Sequence, residues 1–518
     1  MPEALVSIAE HYHKRTKYDP ATIAAKSQGI DFSHQPYPFK AYRLGSEIDL
    51  KPYLDDAPAT GELPADIAWW SRLSHLLINS YGLTAKMPTA AGDTFYLRAA
   101  PSAGGLYPAE LYIVSRGTSL LPAGLYNYQA RTHSLWRYWD AHLWQELQAA
   151  CFWHPALEST QLALVASAVF FRSAWRYQDR AYRRIFLDSG HILGNLELAG
   201  AAADYRPHLI GGFVDQALNE LLYLNPDEEG VIAVLALADL LEVEQNLPHC
   251  SSALAAPTET KFPTLADGQL LSYFHQCTQI PPATQNLAWE TRSAVDPEPT
   301  LPEDKYNIPF CLKVPTTTAP VYWGEDLQDL ETTILKRRST RRYSGAELTL
   351  AELRALLDFT YQPQHYISQG FDGDPDYFDL SLLQTFIAVS GVEGLDEGCY
   401  YYAPKSQELR QIRFKNFRRE LHFLCLGQDL GRDAAAVLFH TADLKTAIEK
   451  YGDRVYRYLH MDAGHLGQRL NLAAVRLGLG VSGIGGFFDD QVNEVLGIPV
   501  DEAVIYITTL GRPARSQD

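Results

Sequence analysis

Apolar segments alternate with polar ones along the chain, and their spacing predicts both buried strands and buried helices. Residues 162–171 are apolar at successive positions, which is typical of a strand with both faces covered. Residues 188–203 place small and apolar side chains on all faces of a helix, so we expect this helix to be buried. The same reasoning predicts strands at 110–114, 231–237, 385–389, 434–441 and 503–510, and helices at 68–81, from about 326, at 349–361 and at 462–479.

The elements fall into two sets because the sequence repeats itself at one constant spacing. Gly190-His191 recurs as Gly464-His465, and Gly211-Gly212 recurs as Gly485-Gly486, in each case 274 positions further along the chain. This period exceeds the roughly 20–50 residues of a solenoid repeat and has the length of a whole domain. We therefore predict a tandem duplication, with one domain at 1–250 and a second at 326–518.

Between the two copies, residues 251–325 are crowded with proline, which removes backbone donors and disfavours helix interiors. We expect an extended linker that wraps over the domains. Its aromatic residues indicate that parts of it pack rather than remain free.

Composition narrows the class of protein. Hydrophobic residues at 46% and charged residues at 20% are typical of a globular chain. A net charge of −18 argues against nucleic-acid binding, which needs clustered cations. The six cysteines include no Cys-x-x-Cys pair, and neither a targeting segment nor an apolar run of about 18 residues is evident. We expect a cytoplasmic protein without a membrane span, and no metal site is predicted.

Two kinds of candidate ligand-binding residue stand out. The first is a basic cluster that contains Arg337, Arg338, Ser339 and Arg341, where mutually repelling cations suggest an anionic ligand such as a phosphate. The alternative is a solvated basic turn. The second kind is a loop of small residues, which lets a ligand approach the backbone; the alternative is a tight turn. Such loops comprise Pro101, Ser102, Ala103 and Gly104 in the first copy and Gly483, Ile484, Gly485 and Gly486 in the second, where Arg512 follows the last strand.

In combination these motifs resemble a known family. The Arg337-Arg338-Ser339-x-Arg341 cluster, the 483–486 loop and Gly511-Arg512-Pro513 resemble the nitroreductase superfamily, whose members bind FMN. The 101–108 loop, the 12–18 opening and Asp-x-Gly-His at 188–191 and 462–465 resemble its SagB-type dehydrogenase branch. That branch includes flavin oxidases that turn peptide azolines into azoles. The resemblance implies an α+β fold in which two nitroreductase-like domains, each with a mainly antiparallel sheet flanked by helices, pair as an intramolecular pseudo-dimer.

The motifs divide unevenly between the copies, which predicts one complete FMN site instead of two. Large and acidic residues at 376–379 replace the small first-copy loop, and Ala238 stands where the second copy has Arg512. The incomplete site is expected to pair Lys14, Arg15 and Lys17 with Gly211-Gly212.

The resemblance also implies a catalytic pair. Lys450 and Tyr451 match the position of a Lys-Tyr acid/base pair in the azoline-oxidising relatives, whereas the first copy has Arg176-Tyr177. The alternative is a surface lysine beside a core tyrosine.

Three functions are consistent with these observations. The first is a SagB-type, FMN-dependent oxidoreductase that dehydrogenates an azoline-like or other small heterocyclic substrate, free or within a peptide. The second is an NAD(P)H-dependent reductase of nitroaromatic compounds or quinones. The third is a non-catalytic flavin-binding protein. Further oligomerisation of the pseudo-dimer stays open.

Overall fold

The computed structural model of the chain describes residues 6–26, 29–54, 63–88, 94–242, 250–282, 289–290, 301 and 304–514. Within these residues, two seven-stranded antiparallel sheets form the centres of two domains, and helices flank each sheet. The predicted α+β fold with two tandem domains is confirmed.

The first copy begins with helix α1 near the start of the chain and ends with the long strand β9. Its elements are α1 (Ile8–Thr16), α2 (Ile23–Lys26), β1 (Ser46–Asp49), α3 (Ala65–Tyr81), β2 (Leu83–Pro88), β3 (Thr94–Arg98), β4 (Ala109–Ser115), β5 (Gly124–Gln129), β6 (Ser134–Trp139), α4 (Trp144–Ala150), α5 (Ala156–Ser159), β7 (Leu162–Val169), α6 (Phe170–Tyr177), α7 (Ala181–Ala202), β8 (Tyr205–Ile210), α8 (Asp215–Leu221) and β9 (Glu229–Asp239).

The connecting segment and the second copy supply the remaining elements. They are α9 (Leu270–Cys277), β10 (Lys313–Pro315), α10 (Gln328–Lys336), β11 (Leu348–Thr349), α11 (Leu350–Tyr361), β12 (Gln384–Val389), β13 (Val392–Glu393), β14 (Gly398–Ala403), β15 (Glu408–Arg413), α12 (Arg418–Leu424), α13 (Asp429–Asp433), β16 (Ala436–Asp443), α14 (Leu444–Tyr451), α15 (Val455–Arg476), β17 (Gly480–Ile484), α16 (Asp489–Leu496) and β18 (Glu502–Gly511).

The strand orders of the two sheets correspond position by position. The first sheet runs β1-β6-β5-β4-β7-β9-β8 and the second runs β10-β15-β14-β12-β16-β18-β17. The central strands β7 and β9 are buried along almost their whole length because helices cover both faces of the sheet, which explains their apolar sequences. This correspondence is the structural counterpart of the 274-residue repeat.

The two copies meet through the long helices α7 and α15, which cross at a pair of glycines. A Cβ atom on Gly190 would lie 2.1 Å from the carbonyl oxygen of Met461, and one on Gly464 would lie 2.3 Å from that of Leu187. Glycine is required at both positions because the two backbones are in direct contact. The repeated Asp-x-Gly-His motif therefore marks the axis that relates the copies.

Buried ion clusters join the copies on both sides of this crossing. Asp489 of the second copy accepts from Arg180 at 2.9 Å and Arg183 at 2.7 Å. At the equivalent positions, Asp215 of the first copy accepts from Arg454 and Arg457, each at 2.7 Å. Each arginine thus contacts the copy to which it does not belong.

The segment at 251–325 differs from the predicted extended linker. It contains helix α9, and its strand β10 pairs with β15, so the second sheet takes an edge strand from before position 326. An edge strand tolerates Pro315 because its outer backbone groups need no partner strand. No helix in the described part of the chain is long and apolar enough to cross a membrane.

Candidate functional site

Arg337 connects the second copy to the small-residue loop of the first. Its Nε donates to the carbonyl of Ala99 at 2.8 Å and its Nη2 to that of Arg98 at 3.2 Å. Its Nη1 is buried without a hydrogen-bond partner among the described residues. Burial lowers the pKa of Arg337 to about 10, so the guanidinium stays charged at neutral pH.

Asp188 of the long helix α7 binds the 101–104 loop through hydrogen bonds. Ser102 Oγ donates to one carboxylate oxygen of Asp188 at 2.6 Å, and the backbone N–H of Ala103 donates to both at 3.1 Å. Burial raises the pKa of Asp188 to about 7, although these two donors oppose the shift. The hydroxyl of Ser102, expected to face a ligand, is therefore used to position the loop that follows Pro101.

Gly104 packs closely against a tyrosine. Its φ angle of +68° suits glycine, and a Cβ atom here would lie 2.8 Å from the hydroxyl oxygen of Tyr177. The guanidinium carbon of Arg184 lies 3.8 Å from the centre of the Tyr177 ring. The loop, Tyr177 and Arg184 thus form one side of a slot.

The glycine loop of the second copy forms the other side. A Cβ atom on Gly485 would lie 3.2 Å from Arg184 Nε, and one on Gly486 would lie 3.7 Å from Arg184 Nη2. Gly483 packs against the hydroxyl of Tyr506, and Ile484 is buried in the second core. The structure therefore brings the two predicted loops to opposite sides of Tyr177 and Arg184. We call this region between the copies the composite slot.

Sequence reasoning missed Arg184, although a signal for it existed. The residue is only 6% exposed, and its Nη1 has no partner within the described ranges. At the repeat spacing its counterpart is Tyr458, so the two copies differ here in charge. Comparing the unmatched positions of the repeat, and not only the matched ones, would have identified it.

The other predicted anion-binding residues near Arg337 differ in their contacts and in their exposure to solvent. Arg338 donates to the backbone carbonyls of Leu335, Arg337 and Thr84, so it supports the turn instead of presenting its charge. Arg341 is exposed and Ser339 is partly exposed. They are the members of the cluster left facing solvent.

Arg512 follows strand β18, as predicted, and contacts helix α11. Its Nη2 donates to Glu352 at 2.8 Å and its Nε to the carbonyl of Glu347 at 3.2 Å. Its side chain is 34% exposed, so the arginine is positioned by these contacts and still open to solvent.

The counterpart of the composite slot is filled by side chains. Phe378, at the position of Gly104, stacks on Tyr458 with ring centres 4.6 Å apart and covers Gly211. Leu254, from the connecting segment, covers Gly212. The predicted pairing of Lys14, Arg15 and Lys17 with Gly211-Gly212 is not seen for Arg15 and Lys17, since Arg15 pairs with Asp267 and Lys17 with Asp490. The reason is that helix α1 ends beside the second copy.

Lys450 and Tyr451 lie on this filled side and are not brought to the composite slot. Lys450 Nζ and Tyr451 Oη both donate to the same oxygen of Asp379, at 2.5 and 3.0 Å. Burial, and then the charge of Asp379, raises the pKa of Tyr451, which opposes proton release. The pair that borders the composite slot is its counterpart, Arg176 and Tyr177.

If the site holds FMN, as the sequence resemblance implies, replacing Arg512 by alanine is expected to weaken FMN binding by about one to two orders of magnitude. The reason is the loss of a charge-assisted contact to phosphate that is worth about 1.5–3 kcal/mol. Flavin retention during dialysis measures the effect. The control is Arg354→Ala, because Arg354 lies on α11, the helix that Arg512 contacts, but donates to the carbonyl of Pro315 in strand β10. Equal retention by both variants would remove Arg512 from the site.

The fold places two buried guanidinium groups, Arg184 and Arg337, and two glycine-containing loops between two copies of an α+β domain. The model of the nitroreductase family matches residues 75–238 and 334–512, well over half of the chain. The chain belongs to the nitroreductase family.

Individual relatives agree with this assignment. The "Putative nitroreductase MJ1384" of Methanocaldococcus jannaschii is 35% identical over 169 residues, which is 33% of this chain and 84% of the relative. A crystal structure described as a "putative nitroreductase" from Anabaena variabilis is 68% identical, with a TM-score of 0.93 over 98% of this chain and 100% of that chain. The Escherichia coli microcin synthetase McbBCD complex contains a chain that is 19% identical over 44% of this chain and 91% of that one. Its TM-score of 0.28 supports no inference about activity.

Proposed function

We propose that this protein is an FMN-dependent oxidoreductase that holds one flavin in the composite slot. The observation that carries the proposal is the pair of buried guanidinium groups, Arg184 and Arg337, whose Nη1 atoms have no partner among the described residues. A buried guanidinium nitrogen without an acceptor is costly, so a ligand rich in acceptors would stabilise the slot.

The residues around the slot fit the parts of FMN. Gly485, Gly486 and Gly104 carry no side chains of their own, so a flat ring system could approach the backbone from both copies if the side chains of Arg184 and Tyr177 moved aside. Arg184 and Arg337 would donate to ring or ribityl oxygens. Ser339, Arg341 and Arg512 offer donors at a more exposed end, where a phosphate could remain solvated.

FMN, when bound, supplies hydride transfer, while the protein orients the substrate and manages protons. Tyr177 is the residue with a hydroxyl that borders the slot next to Gly104. We assign to it the handling of a proton at its Oη during turnover. Lys450 and Tyr451, the pair predicted from the sequence, are not part of this proposal because of their position beside Asp379.

For the substrate, the motifs of the 101–108 loop support a SagB-type dehydrogenation of an azoline-like or other small heterocycle. A second candidate is the NAD(P)H-dependent reduction of nitroaromatic compounds or quinones. The reductase is favoured by Arg176, which precedes Tyr177 at the position that Lys450 has in the second copy. An arginine cannot act as a base near neutral pH. Reduction needs a proton donor at this place, whereas dehydrogenation needs a base.

Flavin binding is tested by replacing Arg184 with methionine, which keeps much of the apolar volume and removes the charge. We expect FMN affinity to fall by about tenfold to more than a hundredfold, because a charged hydrogen bond contributes about 1.5–3 kcal/mol. The matched control is Tyr458→Phe, the same position in the other copy, which should retain flavin. Unchanged affinity in Arg184→Met would contradict the proposed site.

The substrate class is tested by steady-state assays on the flavin-loaded protein. NAD(P)H consumption with nitrofurazone or menadione as acceptor would establish the reductase. Conversion of a thiazoline-containing peptide, with oxygen as acceptor and without NAD(P)H, would establish the dehydrogenase. Absence of both activities in a flavin-loaded protein would favour the non-catalytic alternative.

A further inference from the structure

A cavity of about 310 Å³ lies between the two copies, next to the filled counterpart of the composite slot. Strand β8 and helix α7 of the first copy form one wall, and the segment 367–376 of the second copy forms the other. Its volume is at the lower end of the range of small-molecule sites, about 300–1,000 Å³.

The position of the cavity follows from the duplication. Its residues Pro375, Asp376 and His465 are the repeat counterparts of Pro101, Ser102 and His191 in the first copy. Phe378 and Tyr458 fill the region of the second copy's site that corresponds to the composite slot. The cavity lies next to these two side chains. The second site has therefore lost its opening for a flavin ring but kept a space between the copies.

The charges in this space are the reverse of those in the composite slot. The carboxylates of Glu197, Asp372 and Asp376 line it, and among the lining residues only Arg206 carries a permanent positive charge. Arg206 donates to Asp372 at 2.7 Å and to Asp376 at 3.2 Å. Glu197 accepts from Arg469, a buried arginine behind the wall, at 2.9 Å. The carboxylates therefore outnumber the guanidinium groups by one, at Asp372 and Asp376, which disfavours a phosphate or carboxylate ligand.

Two polar atoms in the walls lack protein partners. Tyr205 Oη and His465 Nδ1 are buried without a hydrogen bond among the described residues, and each side chain is 2% exposed. Unsatisfied buried polar atoms are uncommon and call for a partner that the protein does not supply. The rest of the wall is largely apolar and includes Leu193, Leu209, Leu235 and Phe371.

From these observations we infer that the cavity is a second ligand site, which takes a small, flat, mostly apolar molecule that carries an amine or amidine cation. The apolar body packs between the leucines and Phe371, and the cation lies against Asp372 and Asp376, which share one arginine. Polar groups of the ligand complete the hydrogen bonds of Tyr205 and His465. This site is separate from the flavin slot and needs no flavin to bind.

Calorimetric titration of the flavin-loaded protein tests the site with benzamidine, tryptamine and 4-aminoquinoline. Benzoate and indole-3-acetate serve as anionic counterparts of similar size. We expect at least one of the cations to bind with one site per chain and at least tenfold more tightly than the anions. Failure of all three cations to bind, or equal binding of the anions, would overturn the inference.

Two variants locate the binding. Ala201→Phe projects a ring into the cavity from α7, and Asp372→Asn removes one carboxylate at its partly exposed rim. We expect Ala201→Phe to abolish cation binding and Asp372→Asn to weaken it about tenfold, while flavin content and the melting temperature remain close to those of the unmodified protein. Undiminished cation binding in both variants would place the ligand elsewhere and contradict the assignment. If Ala201→Phe does not fold, the Asp372→Asn titration alone decides between the two outcomes.

Discussion

Replacing Tyr177 by phenylalanine is expected to lower kcat by about 10²–10⁴-fold without loss of flavin, the range typical of a group that transfers a proton in the transition state. The hydroxyl of Tyr177 borders the composite slot beside Gly104, whereas its ring is covered by Arg184. Phenylalanine keeps the ring and its contact with the guanidinium, so the flavin-binding side chains should stay in place. Stopped-flow measurement of the reductive and oxidative half-reactions would show which of them depends on the hydroxyl.

The matched control is Tyr451→Phe, which makes the same change at the repeat counterpart. Tyr451 is held by Asp379 on the filled side, so we expect kcat to be unchanged within about twofold. A normal rate in Tyr177→Phe together with a strong loss in Tyr451→Phe would return the catalytic role to the pair predicted from the sequence.

Replacing Asp489 by alanine is expected to lower the free energy of unfolding by about 3–5 kcal/mol, because it leaves Arg180 and Arg183 buried without their counter-charge. Asp215→Ala should have an effect of similar size at the other cluster, where Arg454 and Arg457 lose their partner. Urea unfolding, followed by far-UV circular dichroism, measures both. A loss below about 1 kcal/mol in either variant would contradict the role of these clusters in joining the copies.

The contribution of Asp489 should also depend on pH in a defined direction. Burial alone would raise the pKa of Asp489, but the charges of Arg180 and Arg183 oppose burial and bring the pKa below its ordinary value of 3.8. The carboxylate therefore contributes its full stabilisation above about pH 4 and loses it as the pH falls through the lowered pKa. The difference in stability between the unmodified protein and Asp489→Ala should be constant from pH 5 to 7 and shrink toward pH 3.

The repeat made much of the architecture predictable. A constant spacing of 274 residues specifies two copies of one domain, and Gly190 and Gly464 recur because the backbones of α7 and α15 touch at those positions. The basic cluster and the glycine loops could also be recognised, since each is a local motif.

The composition of each site could not be predicted in the same way. Which loop faces which tyrosine depends on how the copies pack. Lys450 was predicted to be catalytic from its local motif, but the packing of the copies places it on the filled side. The closure of that side also involves Leu254, which comes from a proline-rich segment whose course over the domains is not encoded in any periodic pattern. Arg184 was overlooked because its importance lies in a difference between the copies instead of a match.

The central claim, that one slot between the copies binds flavin and its counterpart does not, is tested most directly by the ratio of flavin to chain. The protein is saturated with FMN, freed of excess cofactor and denatured, and the released flavin is quantified by absorbance against the protein concentration. The account predicts a ratio close to one, because Phe378, Tyr458 and Leu254 occupy the second slot. A ratio close to two would contradict it.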